Sequence, residues 1–199
     1  GVRPPDSNYP TLQAGTLVSL HDASAAFPKI PGVAFPTVVN ELALLDFGPG
    51  FKSAGGRLAR GPGLGLDTTP KIGSSYAVYV PKSNEDGRNI GGVRPLEIRV
   101  PVGTHTGWNV RVKESRGPNM CPLTGSFIPF ATTKELRAAS GDPRKPLQER
   151  YGKHEGYVNA VREQAKTLVA ERFLLEEDAT RFIKEAEASH VLASAPGKP

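Results

Sequence analysis

YVNAVREQAKTLVAERFL (Tyr157–Leu174), followed after one residue by EEDATRFIKEA (Glu176–Ala186), is the stretch from which the architecture is read. In the first segment Val158, Val161, Ala165, Leu168, Val169 and Arg172 recur at spacings of three, four and one, an apolar stripe with a polar edge that predicts an amphipathic helix around 157–174. In the second, Glu176, Glu177 and Asp178 crowd the start, where carboxylates meet the positive end of the helix dipole. Ala179, Phe182, Ile183 and Ala186 form its apolar side, so the two segments predict an αα-hairpin. Upstream, Thr132 followed three residues later by Glu135 fits a capping box for a shorter helix that Gly141 ends.

Before residue 132 the period changes. Thr37–Phe47 carries Val38, Val39, Leu42, Leu44 and Leu45 in a run that predicts a strand buried on both faces. Ser75–Pro81 sets Tyr76, Val78 and Val80 against Ala77 and Tyr79, and Leu96–Val100 sets Leu96, Ile98 and Val100 against Glu97 and Arg99. With a turn at Asn84–Arg88, where Gly87 accepts φ > 0, these runs predict a β-hairpin. A further strand is expected at Trp108–Val112, and Phe51–Asp67 reads as a glycine-rich loop without the Lys and Ser/Thr of a phosphate cradle. The first 36 residues hold Pro4, Pro5, Pro10, Pro28, Pro31 and Pro36, which exclude long helices and central strands. They read as a strap with a short strand at Thr16–Leu20, pinned by Phe27, Ile30, Val33 and Phe35 and needing another body to lie on. The expected fold is therefore α+β and loop-rich, a β-hairpin or small sheet followed by a C-terminal helical hairpin. Its divisions are a strap at 1–36, a β-rich part at 37–131, a helical part at 132–189 and a frayed tail at 190–199.

Composition agrees with order and excludes several functions. The 22 glycines and 19 prolines are about a fifth of the chain, which favours loops, yet 38% apolar and 23% charged residues are too apolar a mixture for a disordered chain. The net charge of +5 is dispersed, without the concentrated cationic footprint that nucleic acid requires. No apolar run approaches the roughly 18 residues of a membrane span. Cys121 stands alone, so no internal disulfide is expected, and it reads as a small buried hydrophobe. His21, His105, His154 and His190 form no H-x-x-x-H or H-E-x-x-H frame, so neither metal nor cofactor is expected; His154 and His190 read as solvated helix residues.

A serine hydrolase needs its nucleophile on a strained turn, commonly G-x-S-x-G, and none of the twelve serines has that frame. Asp46 is explained by strand termination, and Glu85 and Asp86 by turn formation, so no triad is assigned. What stands out is the segment Pro101–Arg111, where small residues bracket His105 and the chain's single Trp, Trp108. Trp108 reads either as core or as a ligand contact, and His105 as a hydrogen-bonded structural residue, a ligand contact or a general base. Gly91, Gly92, Gly103 and Gly107 remove side chains around Arg94, His105 and Trp108, which makes these three candidates for a substrate wall: a fixed cation, an imidazole and a flat apolar surface.

Several phrases also resemble a known family. Ile90–Pro95 (IGGVRP), Val100–Asn109 (VPVGTHTGWN), Gly125–Phe130 (GSFIPF) and Glu149–Gly152 (ERYG) are similar to segments near the C-terminus of large bacterial proteins labelled α/β-hydrolase-domain proteins. Pro4–Pro10 (PPDSNYP) resembles the family's join between its last core helix and this tail, so the resemblance covers nearly all of the chain. It implies that the chain is a subdomain of a larger α/β-hydrolase whose serine, acid and histidine precede Gly1, in the same precursor or in a separate chain. The substrate it implies is a small molecule with an ester or related acyl bond, an inference from fold-level analogy. The family also carries Tyr at position 105, which argues against an indispensable general base there. From a different class, the alternative is a non-catalytic module docking on a partner protein.

Overall fold

The computed structural model describes residues 8–37, 42–49, 51, 70–110, 120–121 and 124–193. The chain's contacts divide it into two units, Gly1–Val38 with Tyr79–Pro199, and Val39–Val78. Among the described residues the strands are β1 (Leu17–Ser19), β2 (Ala43–Asp46), β3 (Lys71–Ser75), β4 (Tyr79–Pro81), β5 (Gly103–Thr106), β6 (Asn109–Val110), β7 (Met120–Cys121) and β8 (Ser126–Pro129). The helices are α1 (Leu20–Ala26), α2 (Leu96–Arg99), α3 (Lys134–Ser140), α4 (Leu147–Tyr151), α5 (His154–Ala170) and α6 (Glu176–Ala188). The strands pair antiparallel in four two-stranded sheets, β1–β4, β2–β3, β5–β8 and β6–β7, so the molecule is a loop-rich α+β protein.

The helical hairpin is the core of the larger unit. Val158, Val161, Ala165 and Leu168 of α5 are buried, at the spacing that one helical face requires, against Ala179 and Ala186 of α6. The helix ends four residues before the sequence expectation, because Arg172 takes φ 64° and the chain closes a Schellman cap: Phe173 N donates to Leu168 O at 2.9 Å and Arg172 N to Val169 O at 2.9 Å. Arg172 therefore lies beyond the stripe it was expected to edge. At the other end α5 starts at His154, and Gly156 sits so close to the Tyr151 carbonyl that a Cβ there would overlap it. His154, expected to be solvated, joins the hairpin's two ends, with Nδ1 2.8 Å from Val191 O. Helix α3 is capped by Thr133, one residue later than expected, whose Oγ1 accepts from Leu136 N at 3.3 Å. Gly141, at φ 70°, ends it as expected.

The predicted β-hairpin of 75–81 with 96–100 is corrected: the two runs do not pair, and only the turn between them forms. Its turn is held by Asn84 Oδ1, which accepts from Asp86 N at 3.1 Å and Arg88 N at 3.0 Å, and Ser83 bridges Asn89. The return arm stops there. Leu96–Arg99 is a helical turn opened by Pro95, because Leu96 and Val100, four apart, both reach the α5–α6 core, whereas a strand would put Ile98 beside them. β4 pairs instead with β1 of the strap. The strap finds its body within its own unit: Ala23, Phe27 and Ile30 are buried, and the Phe27 ring occupies the space beside Gly87.

In the smaller unit β2 and β3 form a two-stranded ladder, with Gly48 N donating to Asp46 Oδ1 at 2.8 Å where β2 ends. The expectation of a strand buried on both faces is corrected: Leu44, Leu45 and Ile72 are exposed, the last at 78%, because within this unit the ladder pairs without a covering layer among the described residues. Val38 and Val39, most of the loop 51–67, Arg111 and Val112 of the expected later strand, the tail from Ser194, and the Cys121 side chain lie outside the described residues.

Candidate functional site

Strand β5 places two kinds of side chain on its two faces. Thr104 and Thr106 point inward and are buried, while His105 projects the other way and stays exposed. On the paired strand β8, Phe127 stands beside His105 with ring centroids 4.8 Å apart, and fills the space that a side chain at Gly103 would need. These two rings form one wall of a groove of about 370 Å³ whose other walls are Leu96, Glu97 and Val100 near α2, Tyr157 and Val161 of α5, and Phe182 and Glu185 of α6. Burial, and to a lesser degree the nearby Glu97 carboxylate, hold the Tyr157 phenol above its ordinary pKa, so it is a neutral hydroxyl at the groove wall.

The three wall candidates occupy different surroundings. His105 lines the groove. Trp108 packs in an aromatic trio with Phe27 and Phe35, at centroid separations of 5.7 and 5.4 Å. Arg94 is half-buried, its carbonyl accepts from Arg99 Nε at 2.9 Å, and its own Nε is buried with no hydrogen-bond partner among the described residues. Of the four glycines around them, Gly91 is filled by Pro10 and Gly103 by Phe127, Gly92 turns the chain at φ 85°, and Gly107 faces open space.

A buried ionic brace supports β5 and β8 from behind. Asp86, 2% exposed, accepts from Arg88 Nη2 at 2.7 Å and from both terminal nitrogens of Arg150, one at 3.0 Å. Arg144, 3% exposed, pairs with Asp142 at 2.6 Å and donates to Thr104 Oγ1 at 2.8 Å, Ile128 O at 3.0 Å and Pro129 O at 3.1 Å. The Thr104 hydroxyl in turn donates to Asp86 O, which links the two ion pairs, and the Phe130 ring lies against both Arg144 and Arg150. Burial pulls the Asp142 pKa up, but the hydrogen bonds from Arg144 outweigh it and hold the carboxyl below its ordinary value. Burial holds the Arg88 guanidinium below its ordinary pKa despite the opposing pull of Asp86. Burial also raises the Tyr151 phenol, whose hydroxyl donates to Pro101 O at 2.8 Å.

Turn formation does not exhaust the role of Asp86, and Thr104, Asp142, Arg144 and Arg150 carry no motif that marks them as site residues. The readable signal was Asp142-Pro143-Arg144-Lys145-Pro146, where prolines force extended backbone and period-two burial turns Asp142, Arg144 and Pro146 inward together.

Among the described residues no serine hydroxyl hydrogen-bonds a histidine. Ser19 bonds Asp22, Ser126 bonds Asn109, Ser140 bonds Arg137 O and Ser189 bonds Ala186 O. Among the same residues no group of three His, Cys, Asp or Glu could hold a metal ion, and no helix is long and apolar enough to cross a membrane.

Comparison with curated proteins and with solved structures returns no match in either set. The family model described as "Alpha/beta hydrolase domain" matches residues 49–184, which contain β5, β8, the brace and the groove walls up to Phe182, and the chain belongs to that family.

Proposed function

We propose that this chain is the C-terminal subdomain of a serine-dependent hydrolase of an ester or related acyl bond. In this reading the nucleophile, acid and base belong to an upstream hydrolase core, in the same large, bacterial precursor or in a separate chain. The subdomain contributes structure and an active-site wall for which Arg94, His105 and Trp108 are the candidates, His105 being the one that lines the groove. The observation that carries the reading is an exposed imidazole lining a groove, with no serine hydroxyl hydrogen-bonded to it among the described residues, in a chain of the α/β-hydrolase family. A wall residue binds ground and transition states alike, so its loss raises KM and leaves kcat near its original value. In the full-length hydrolase, His105→Phe is expected to raise KM about three- to tenfold with kcat changed less than about threefold. A fall in kcat of roughly 10²-fold or more, with folding intact, makes His105 a general acid or base and overturns the wall reading.

A second reading, a non-catalytic module that docks on a partner protein, is favoured by the exposed apolar side chains of the smaller unit, Leu42 at 70% and Ile72 at 78%. Intact mass of the natural product separates the two. A polypeptide of several hundred residues supports the hydrolase subdomain, and a stable species near 21.2 kDa supports the module.

A further inference from the structure

The groove beside His105 has a chemical character that a plain acyl-binding cleft does not need. Three aromatic rings, Phe127, Tyr157 and Phe182, line it together with two carboxylates, Glu97 and Glu185. Ring faces carry negative quadrupole density and attract organic cations, and carboxylates add a full charge of the same sign. Glu185 is already engaged by Arg181 of its own helix, Nη1 to Oε1 at 3.1 Å, and the Arg181 guanidinium lies 4.6 Å from the Phe182 ring centroid. Glu97 forms no ion pair among the described residues, and Arg99, two residues on, is paired with Glu171. Among the described residues the groove therefore presents one carboxylate without a protein counter-ion beside aromatic rings, over an apolar floor of Leu96, Val100 and Val161. A volume of about 370 Å³ is that of a pocket for a small molecule.

We propose that the groove binds an organic ammonium ion with an apolar body, the cation held by Glu97 and the rings of Phe127 and Tyr157, and the body lying on Leu96, Val100, Val161 and Phe182. This rests on the groove being a binding surface, as in the hydrolase reading, and adds the charge of the ligand it accepts. It does not depend on ester chemistry.

The experiment is titration of the intact chain with three matched probes, 4-phenylbutyl-trimethylammonium, its neutral isostere with carbon in place of nitrogen, and 4-phenylbutyrate, followed by calorimetry and by amide chemical shifts. The expected result is tightest binding of the ammonium, by about tenfold over the neutral isostere, with shifts centred on Glu97, His105 and Phe127. Glu97 is exposed, so Glu97→Gln keeps the fold, and it is expected to remove most of that preference. Val102 also lines the groove, and Val102→Trp is expected to weaken all three probes, its folding checked by circular dichroism; should it fail to fold, the location of the shifts in the original chain decides the same point. Equal binding of the three probes in the groove overturns the charge selectivity while leaving the groove as a binding surface. Binding of none of them, or shifts elsewhere, removes the groove itself and the proposal with it.

Discussion

One carboxylate, Asp86, holds two guanidiniums away from water, those of Arg88 and Arg150. Replacing both members of a buried ion pair by apolar groups is often harmless, but removing one leaves the other charged and unpaired, at a cost of about 3–5 kcal/mol. Asp86→Asn is therefore expected to lower unfolding stability by about that amount, a large part of the 5–15 kcal/mol typical of a domain. Chemical denaturation checks it, and a loss below about 1 kcal/mol would mean that the brace is dispensable. Asp142 gives the brace a pH dependence. Its folded-state pKa lies below the ordinary 3.8, so its ionised form contributes stability that is fully present above that value and is lost as pH falls through the lower folded value. Melting temperatures between pH 5 and 2 should fall steeply in the original chain and less steeply in Asp142→Asn, which begins from a lower value at neutral pH because Arg144 is left unpaired. Parallel acid profiles would contradict this role.

At the scale of elements, the Schellman cap of α5 uses an arginine where glycine is the usual residue, with Arg172 exposed at φ 64°. Left-handed backbone costs an ordinary L-residue about 1 kcal/mol that glycine avoids, partly offset by glycine's greater freedom when unfolded. Arg172→Gly is expected to stabilise the chain by about 0.5 kcal/mol, read as a rise in melting temperature, and a fall would show that the Arg172 side chain contributes a contact of its own. The helix it closes was legible in the sequence because the 3.6-residue period runs through Val158, Val161, Ala165 and Leu168 without interruption. Leu96–Val100 was not, because a five-residue window satisfies alternation and a one-turn helix equally, and only the distant α5–α6 core decides between them. The brace was hidden for a related reason. In the sequence a local turn is already a sufficient reading of Asp86, and its partner Arg150 stands 64 residues away. His105 was legible as a groove residue candidate from its small neighbours, whereas Phe127, 22 positions on by sequence number, becomes its partner only through the β5–β8 register.

For the whole molecule, two features point in different directions. The larger unit has a helical core, an ionic brace and a packed strap, while the smaller unit leaves Leu42, Leu44, Leu45, Ile72 and Tyr76 exposed. Such a surface is expected to bind a hydrophobic dye in the native state, and Leu44→Ser with Ile72→Ser should reduce that signal without lowering the melting temperature by more than a few degrees. An unchanged dye signal would place the apolar surface elsewhere. Family membership and the absence of a G-x-S-x-G frame motivate the central proposal, that hydrolytic chemistry belongs to residues outside this chain. A fluorophosphonate probe reacts with a serine only where a base and an oxyanion site activate it. Incubation of the intact 199-residue chain with that probe, followed by mass spectrometry of its peptides, is the direct test. No modified serine is expected at times when an authentic serine esterase is fully labelled, and stoichiometric labelling of any one of the twelve serines would place the nucleophile inside this chain.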